Sequence, residues 1–269
     1  MDRARIEAYV EAGRARGVTQ IAITEHLFRF REAFDLLYGW WEEDPDPHLA
    51  STARQYWQDH VSGSVADYVR VIEQAKRDGL PVLLGLEMDW VHGRAQDLAK
   101  FLAPYDWDIV LGSVHWIGSF GFDQRQTLDE WAKRDVGTVW HDYGELVREL
   151  AESGLTDVLA HPDLPKVFGH RPKDETPLHD LILAGATEHG TAVELNSNGI
   201  RRCKEIYPAK PLLERAHAAG LAITLASDAH VPERVGADFD ALRAGAAAAG
   251  YDEAVTFVQR RAEQYSIVT

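Results

Sequence analysis

Four histidines and several carboxylates stand where apolar runs of this sequence end. The runs close on Thr24-Glu25-His26, Leu86-Glu87-Met88-Asp89, Gly112-Ser113-Val114-His115, Leu159-Ala160-His161-Pro162-Asp163, Glu194-Leu195-Asn196-Ser197-Asn198 and Ala226-Ser227-Asp228-Ala229-His230. Imidazole and carboxylate suit Zn, Mn or Fe, and a carboxylate can bridge two ions where a single imidazole cannot. Two ions about 3.5–4 Å apart can activate a water and hold phosphoryl oxygens together, so these residue types point to metal-assisted hydrolysis. A lone histidine ending a strand is more often structural. His26, His115, His161 and His230 in four equivalent places make coincidence a poor account. Glu87 follows Val82-Leu83-Leu84-Gly85-Leu86, where an unpaired carboxylate is costly, so a cation is expected beside it. Asp228 could instead cap the turn that follows it. His48, His60, His92, His141, His170, His179, His189 and His217 fall in loops or helices and are expected to be solvated or to pack.

These residues, far apart in sequence, can meet only if the runs are parallel strands. Strands are expected at Gln20 to Thr24, Val82 to Met88, Ile109 to Val114, Asp157 to Ala160, Ala192 to Leu195 and Ala222 to Ala226. Helical periodicity lies between them, at Arg5 to Arg16, Val65 to Asp78, Ala95 to Leu102, Val139 to Ser153, His179 to His189 and Pro211 to Ala219. Strand-helix alternation argues an α/β fold, doubly wound or barrel, whose strand C-termini share one face. Gly17, Gly79, Gly154, Gly190 and Gly220 punctuate the helix exits. Two aromatic-rich stretches, 28–60 and 117–135, break the alternation after strand ends and are expected to cover a pocket.

The composition, 45% hydrophobic and 26% charged over 269 residues, suits one large globular domain, 1–269. A net charge of −15, from 28 basic and 43 acidic residues, argues against a nucleic-acid partner and leaves a small phosphorylated substrate. No apolar run is long enough to span a membrane and Met1-Asp2-Arg3-Ala4-Arg5 is no signal peptide, so a cytoplasmic enzyme is expected. The single Cys203 forms no internal disulfide.

Ile23-Thr24-Glu25-His26, Gly85-Leu86-Glu87, Gly112-Ser113-Val114-His115, Ala160-His161-Pro162-Asp163-Leu164 and Ser227-Asp228-Ala229-His230 resemble, in order, motifs of the polymerase-and-histidinol-phosphatase (PHP) superfamily, from about Tyr9 to Gly236. Glu194 to Arg201, Glu205-Ile206-Tyr207-Pro208 and Phe28-Arg29-Phe30-Arg31 look like its histidinol-phosphate phosphatase branch. The resemblance implies a distorted TIM-like (β/α)7 barrel, two to three divalent ions (Zn, Mn or Fe), and hydrolysis of L-histidinol phosphate to L-histidinol and phosphate. It implies Glu87 bridging two ions, His115 and His161 on one of them, Asp228 with Glu87 on another, and His26 with His230 on a third. Catalysis would then rest on Glu87, Asp228 and His230, with a proton donor that is either His230 or a polarised water. Arg201, Lys166 and Arg29 are the candidates for the phosphate clamp. Glu25, Asp89 and the acidic loop from Glu42 to Asp46 are candidate partners for the substrate's cationic groups.

The family opens on a strand that ends in a His-x-His pair, whereas here a helix comes first and no histidine precedes His26. The missing strand is expected upstream of Met1, because an unclosed barrel leaves strand edges and core exposed. The alternative is a divergent chain with fewer metals; for function, a PHP-type phosphodiesterase or a phosphatase on another small substrate, and a degraded metal site serving as a binding or regulatory module, stand beside the main reading.

Overall fold

The structure, a computed structural model, describes residues 1–268. Six strands, β1 (Ile21–His26), β2 (Val82–Asp89), β3 (Ile109–Ser113), β4 (Val158–Leu159), β5 (Ala192–Asn196) and β6 (Ile223–Ala226), form one parallel sheet in chain order. Ten helices surround it: α1 (Arg3–Arg14), α2 (Arg31–Leu36), α3 (Pro47–His60), α4 (Val65–Arg77), α5 (Ala95–Leu102), α6 (Val136–Glu152), α7 (Thr176–His189), α8 (Asn198–Cys203), α9 (Lys210–Ala218) and α10 (Phe239–Ala249). All eight residues of β2 are buried, as a central parallel strand covered on both faces requires.

Helix ends follow local chemistry. Asp2 caps α1 by accepting the Arg5 N–H, Ser64 caps α4, and Asp135 caps α6. The five glycines expected at helix exits all adopt positive φ. Helices α6 and α7 pack closely where Gly185 meets the Arg148 backbone, and a Cβ there would stand 2.9 Å from the Arg148 carbonyl oxygen.

The sheet matches the six strand runs read from the sequence and leaves the first strand's place in the TIM-like barrel open. It is a curled half-barrel, and among the described residues no parallel strand bridges β6 to β1. A cleft of about 750 Å³ lies between these two edges, lined by Thr24 and His26 on one side and Thr224 and Ala226 on the other. Its lower wall comes from an element that sequence reading did not anticipate, an antiparallel hairpin of β7 (Glu253–Val258) and β8 (Arg261–Ser266). Val255 and Phe257 pack against Ile109, Leu111, Val158 and Ala192 on the inner side of the sheet. The hairpin turn is tied down at Arg260, whose backbone N–H reaches the Asp108 carbonyl at 2.8 Å and whose guanidinium reaches Asp157 at 3.0 Å.

The first aromatic insertion, 28–60, folds into α2, α3 and short 3-10 turns, with Trp40, Trp41 and Trp57 buried. The second, 117–135, carries a 3-10 stretch, Arg125–Lys133.

Candidate metal centre

The parallel register sets His26 of β1 beside Glu87 of β2, and Asp89 beside Ser113 of β3. Alternation along a strand keeps Glu87 and Asp89 on one face. Glu87 is the hub. Its Oε2 lies 3.5 Å from His26 Nδ1, and its Oε1 lies 3.6 Å from His115 Nε2 and 3.3 Å from His161 Nε2. Ligand atoms of His26, Glu87 and His115 all lie within 4.8 Å of one another. Neighbouring imidazoles approach closely, with centroids 5.4 Å apart for His26 and His115 and 5.2 Å for His115 and His161.

His161 and Asp228 both take positive φ, 28° and 47°. Non-glycine residues held there cost of order 1–3 kcal/mol each and persist only where their surroundings enforce them. For His161 the enforcement is visible: its backbone N–H donates to Glu194 Oε2 at 2.7 Å, and Asn196 Nδ2 donates to the same oxygen at 3.0 Å. Asp228 is fixed by Asn198 Nδ2, which donates to its Oδ2 at 2.8 Å. His230 stands at the rim, with its side chain 63% exposed and its ring centroid 6.1 Å from that of His26.

Electrostatics bind the cluster together. Burial opposes the charged ring of His26, but Glu87 and then Asp89 outweigh it and raise the group to about 10. His161, likewise buried, is raised to about 9 by its bond to Glu87. Glu87 is pushed the other way: burial favours its neutral form, yet His26 and the other imidazoles hold it well below the usual carboxylate range. Glu194 is raised to about 7 by burial, with Asp228 and Glu87 adding to the effect.

A divalent ion fits this set. His26 Nδ1, His161 Nδ1 and Asp89 Oδ2 are buried and have no hydrogen-bond partner among the described residues, and a cluster of imidazole and carboxylate donors around one acidic hub is the donor chemistry of Zn, Mn or Fe. The compact trio groups His26 with His115, whereas the sequence-based grouping set His26 with His230.

The three expected phosphate-clamp residues separate. Arg29 lines the cleft, lying over the Phe28 ring. Arg201 is exposed and reaches the cluster indirectly, donating to Asn198 Oδ1 at 2.6 Å. Lys166 has a different role: its ammonium is fully buried, 2.7 Å from Asp163 and 3.0 Å from Glu205, and it donates to the Ile206 carbonyl. With these partners it braces the chain after β4 against the segment before α9 and has no donor free for a phosphate.

Several residues hold roles at the site that sequence reading did not give them. Asp89, expected to be a substrate contact, is fully buried and bonded to His115 at 2.7 Å. Glu194 pins His161, Asn198 holds Asp228, and Arg5 of α1 donates to the His230 carbonyl at 2.7 Å. Asp89 and Glu194 carried a signal, a carboxylate inside an apolar run on the ligand-bearing face, whereas nothing local marks Arg5. Aromatic groups close the upper side: Phe28 stacks on His26 at 4.6 Å, and Tyr56 packs edge-on against both Phe28 and Trp116.

The model of the PHP domain family matches residues 3–198. The chain belongs to the PHP domain family. A protein of Deinococcus radiodurans named probable histidinol-phosphatase is 41% identical over 174 residues, 64% of this chain and 66% of its own length. A Schizosaccharomyces pombe protein with the same name is 28% identical over 184 residues, 63% of this chain and 60% of its own. The chain thus spans 66% and 60% of the lengths of these two relatives. Among solved structures, histidinol phosphate phosphatase from Lactococcus lactis, complexed with zinc, L-histidinol and phosphate, covers 96% of this chain and 92% of its own at a TM-score of 0.67. A structure from Listeria monocytogenes covers 89% of this chain and 93% of its own at a TM-score of 0.68. Both are 18% identical to this chain, so their likeness speaks for the PHP fold.

Proposed function

We propose that this chain is a metal-dependent phosphomonoesterase that hydrolyses L-histidinol phosphate to L-histidinol and phosphate. The observation that carries the proposal is the buried carboxylate of Glu87 facing three imidazoles at the head of a cleft. The names of two relatives supply the substrate. His26, Glu87, His115 and His161 would hold the most secure ion, with Asp228 and His230 contributing to one or two more. When bound, such ions supply Lewis-acid polarisation of the phosphoryl group and of the attacking water.

The chain's own residues do the rest. Glu194 and Asn198 keep His161 and Asp228 in their strained conformations, so the ligand atoms need little reorganisation. Arg29 contributes positive charge within the cleft, and Arg201 braces Asn198, which in turn holds Asp228. Phe28, Tyr56 and Trp116 exclude water from the side of His26. His230, exposed at the rim, would either complete an ion's ligand set or, left free of metal, stand as the proton donor to the departing alkoxide, a role that otherwise falls to a metal-polarised water.

Hydrolysis of a panel of phosphate esters, followed by phosphate release in the presence of Zn or Mn, tests the reading. Preference for L-histidinol phosphate over other monoesters is expected. Preference for a phosphodiester, or no turnover with any metal, overturns it.

A further inference from the structure

We infer that Asp89 is a positioning residue, which holds the His115 ring so that Nε2 is presented to the metal. This rests on the reading of the cluster as a metal centre. Asp89 ends β2 two residues beyond Glu87, on the same face, and is completely buried. Its Oδ1 lies 2.7 Å from His115 Nδ1, and Ser113 Oγ stands 3.3 Å from the same nitrogen. His115 Nε2 is thereby left facing Glu87 at 3.6 Å.

A neutral imidazole carries one proton, and a carboxylate at Nδ1 keeps it there, which leaves the Nε2 lone pair for a cation. A carboxylate behind a metal-binding histidine also fixes the ring's orientation. The two acidic side chains at the end of β2 therefore divide the work: Glu87 faces ligand nitrogens, while Asp89 stands behind one of them. The second oxygen of Asp89 is buried without a hydrogen-bond partner. Leaving that oxygen unpaired is costly, a burden that fits a residue whose negative charge serves the cationic cluster, with His26 Nδ1 3.7 Å from the bonded oxygen.

Zinc titration of the wild-type protein and of Asp89→Asn, with zinc chloride as the only added metal, tests the inference. It is combined with nitrogen-15 NMR of the histidine rings in the zinc-loaded proteins. Asparagine keeps the shape of the side chain, so the fold survives. The expected result is the same zinc stoichiometry, a dissociation constant raised roughly 10- to 100-fold, and a shifted His115 Nδ1 resonance. Asp89→Glu, which restores the charge, should recover part of the affinity. Zinc bound equally well by wild type and Asp89→Asn, with unchanged His115 resonances, overturns the inference alone. Loss of a whole zinc equivalent overturns it too, by making Asp89 a direct ligand. A wild-type protein that takes up no zinc overturns the metal-centre reading and this inference together.

Discussion

At the proposed metal centre, protons and metal ions would compete for the same nitrogen atoms. His26 and His161 are raised to about 10 and about 9, so without metal both rings are protonated at neutral pH and pair with Glu87. A coordinated imidazole must be neutral, and metal uptake therefore expels those protons. The sign follows: apparent metal affinity rises as pH climbs from about 6.5 toward 9–10 and levels off above, where the rings are already neutral. Calorimetric zinc titrations at pH 7.5, in buffers of different ionisation enthalpy, should show about two protons released per chain, from these two rings. Release of none would mean that the rings are already neutral at that pH, contrary to their pairing with Glu87.

Strand ends and the loops after them are the elements that position this chemistry, and most of them were legible. All six parallel strands fall within two residues of the runs marked by β-branched and apolar side chains, so the convergence of His26, Glu87, His115, His161 and Asp228 could be read from topology alone. Which side chains support them could not, because Lys166 looks like any basic residue until its buried partners are known. Lys166→Met should strand Asp163 as an uncompensated buried charge and destabilise the protein by about 3–5 kcal/mol. Its KM at a temperature where it stays folded should be near wild type. A large rise in KM with unchanged melting would restore Lys166 to the phosphate clamp. The C-terminal hairpin was illegible for another reason. Val255 and Phe257 alternate as a strand should, but the turn uses Gln259 and Arg260, both at positive φ, in place of the glycine or asparagine that marks such a turn.

At the scale of the molecule, a half-barrel is held from below by that hairpin while the proposed metal ligands gather at the opposite ends of the strands. Phe257 fills the inner side of the sheet beside Ile109, Leu111 and Val158. Phe257→Ala should cost about 3–5 kcal/mol in thermal unfolding, yet leave zinc stoichiometry unchanged below the transition; loss of zinc binding there would show that the hairpin shapes the cluster itself. The cluster as a whole is proposed to be a Glu87-centred metal site that cleaves a phosphate monoester. The most direct test is phosphate release from L-histidinol phosphate by chelator-treated protein, before and after readdition of zinc or manganese, for wild type and Glu87→Gln. Activity should disappear with the metal, return with it in wild type, and stay lower by about three orders of magnitude in Glu87→Gln. Activity that survives chelation, or a Glu87→Gln protein as active as wild type, would contradict it.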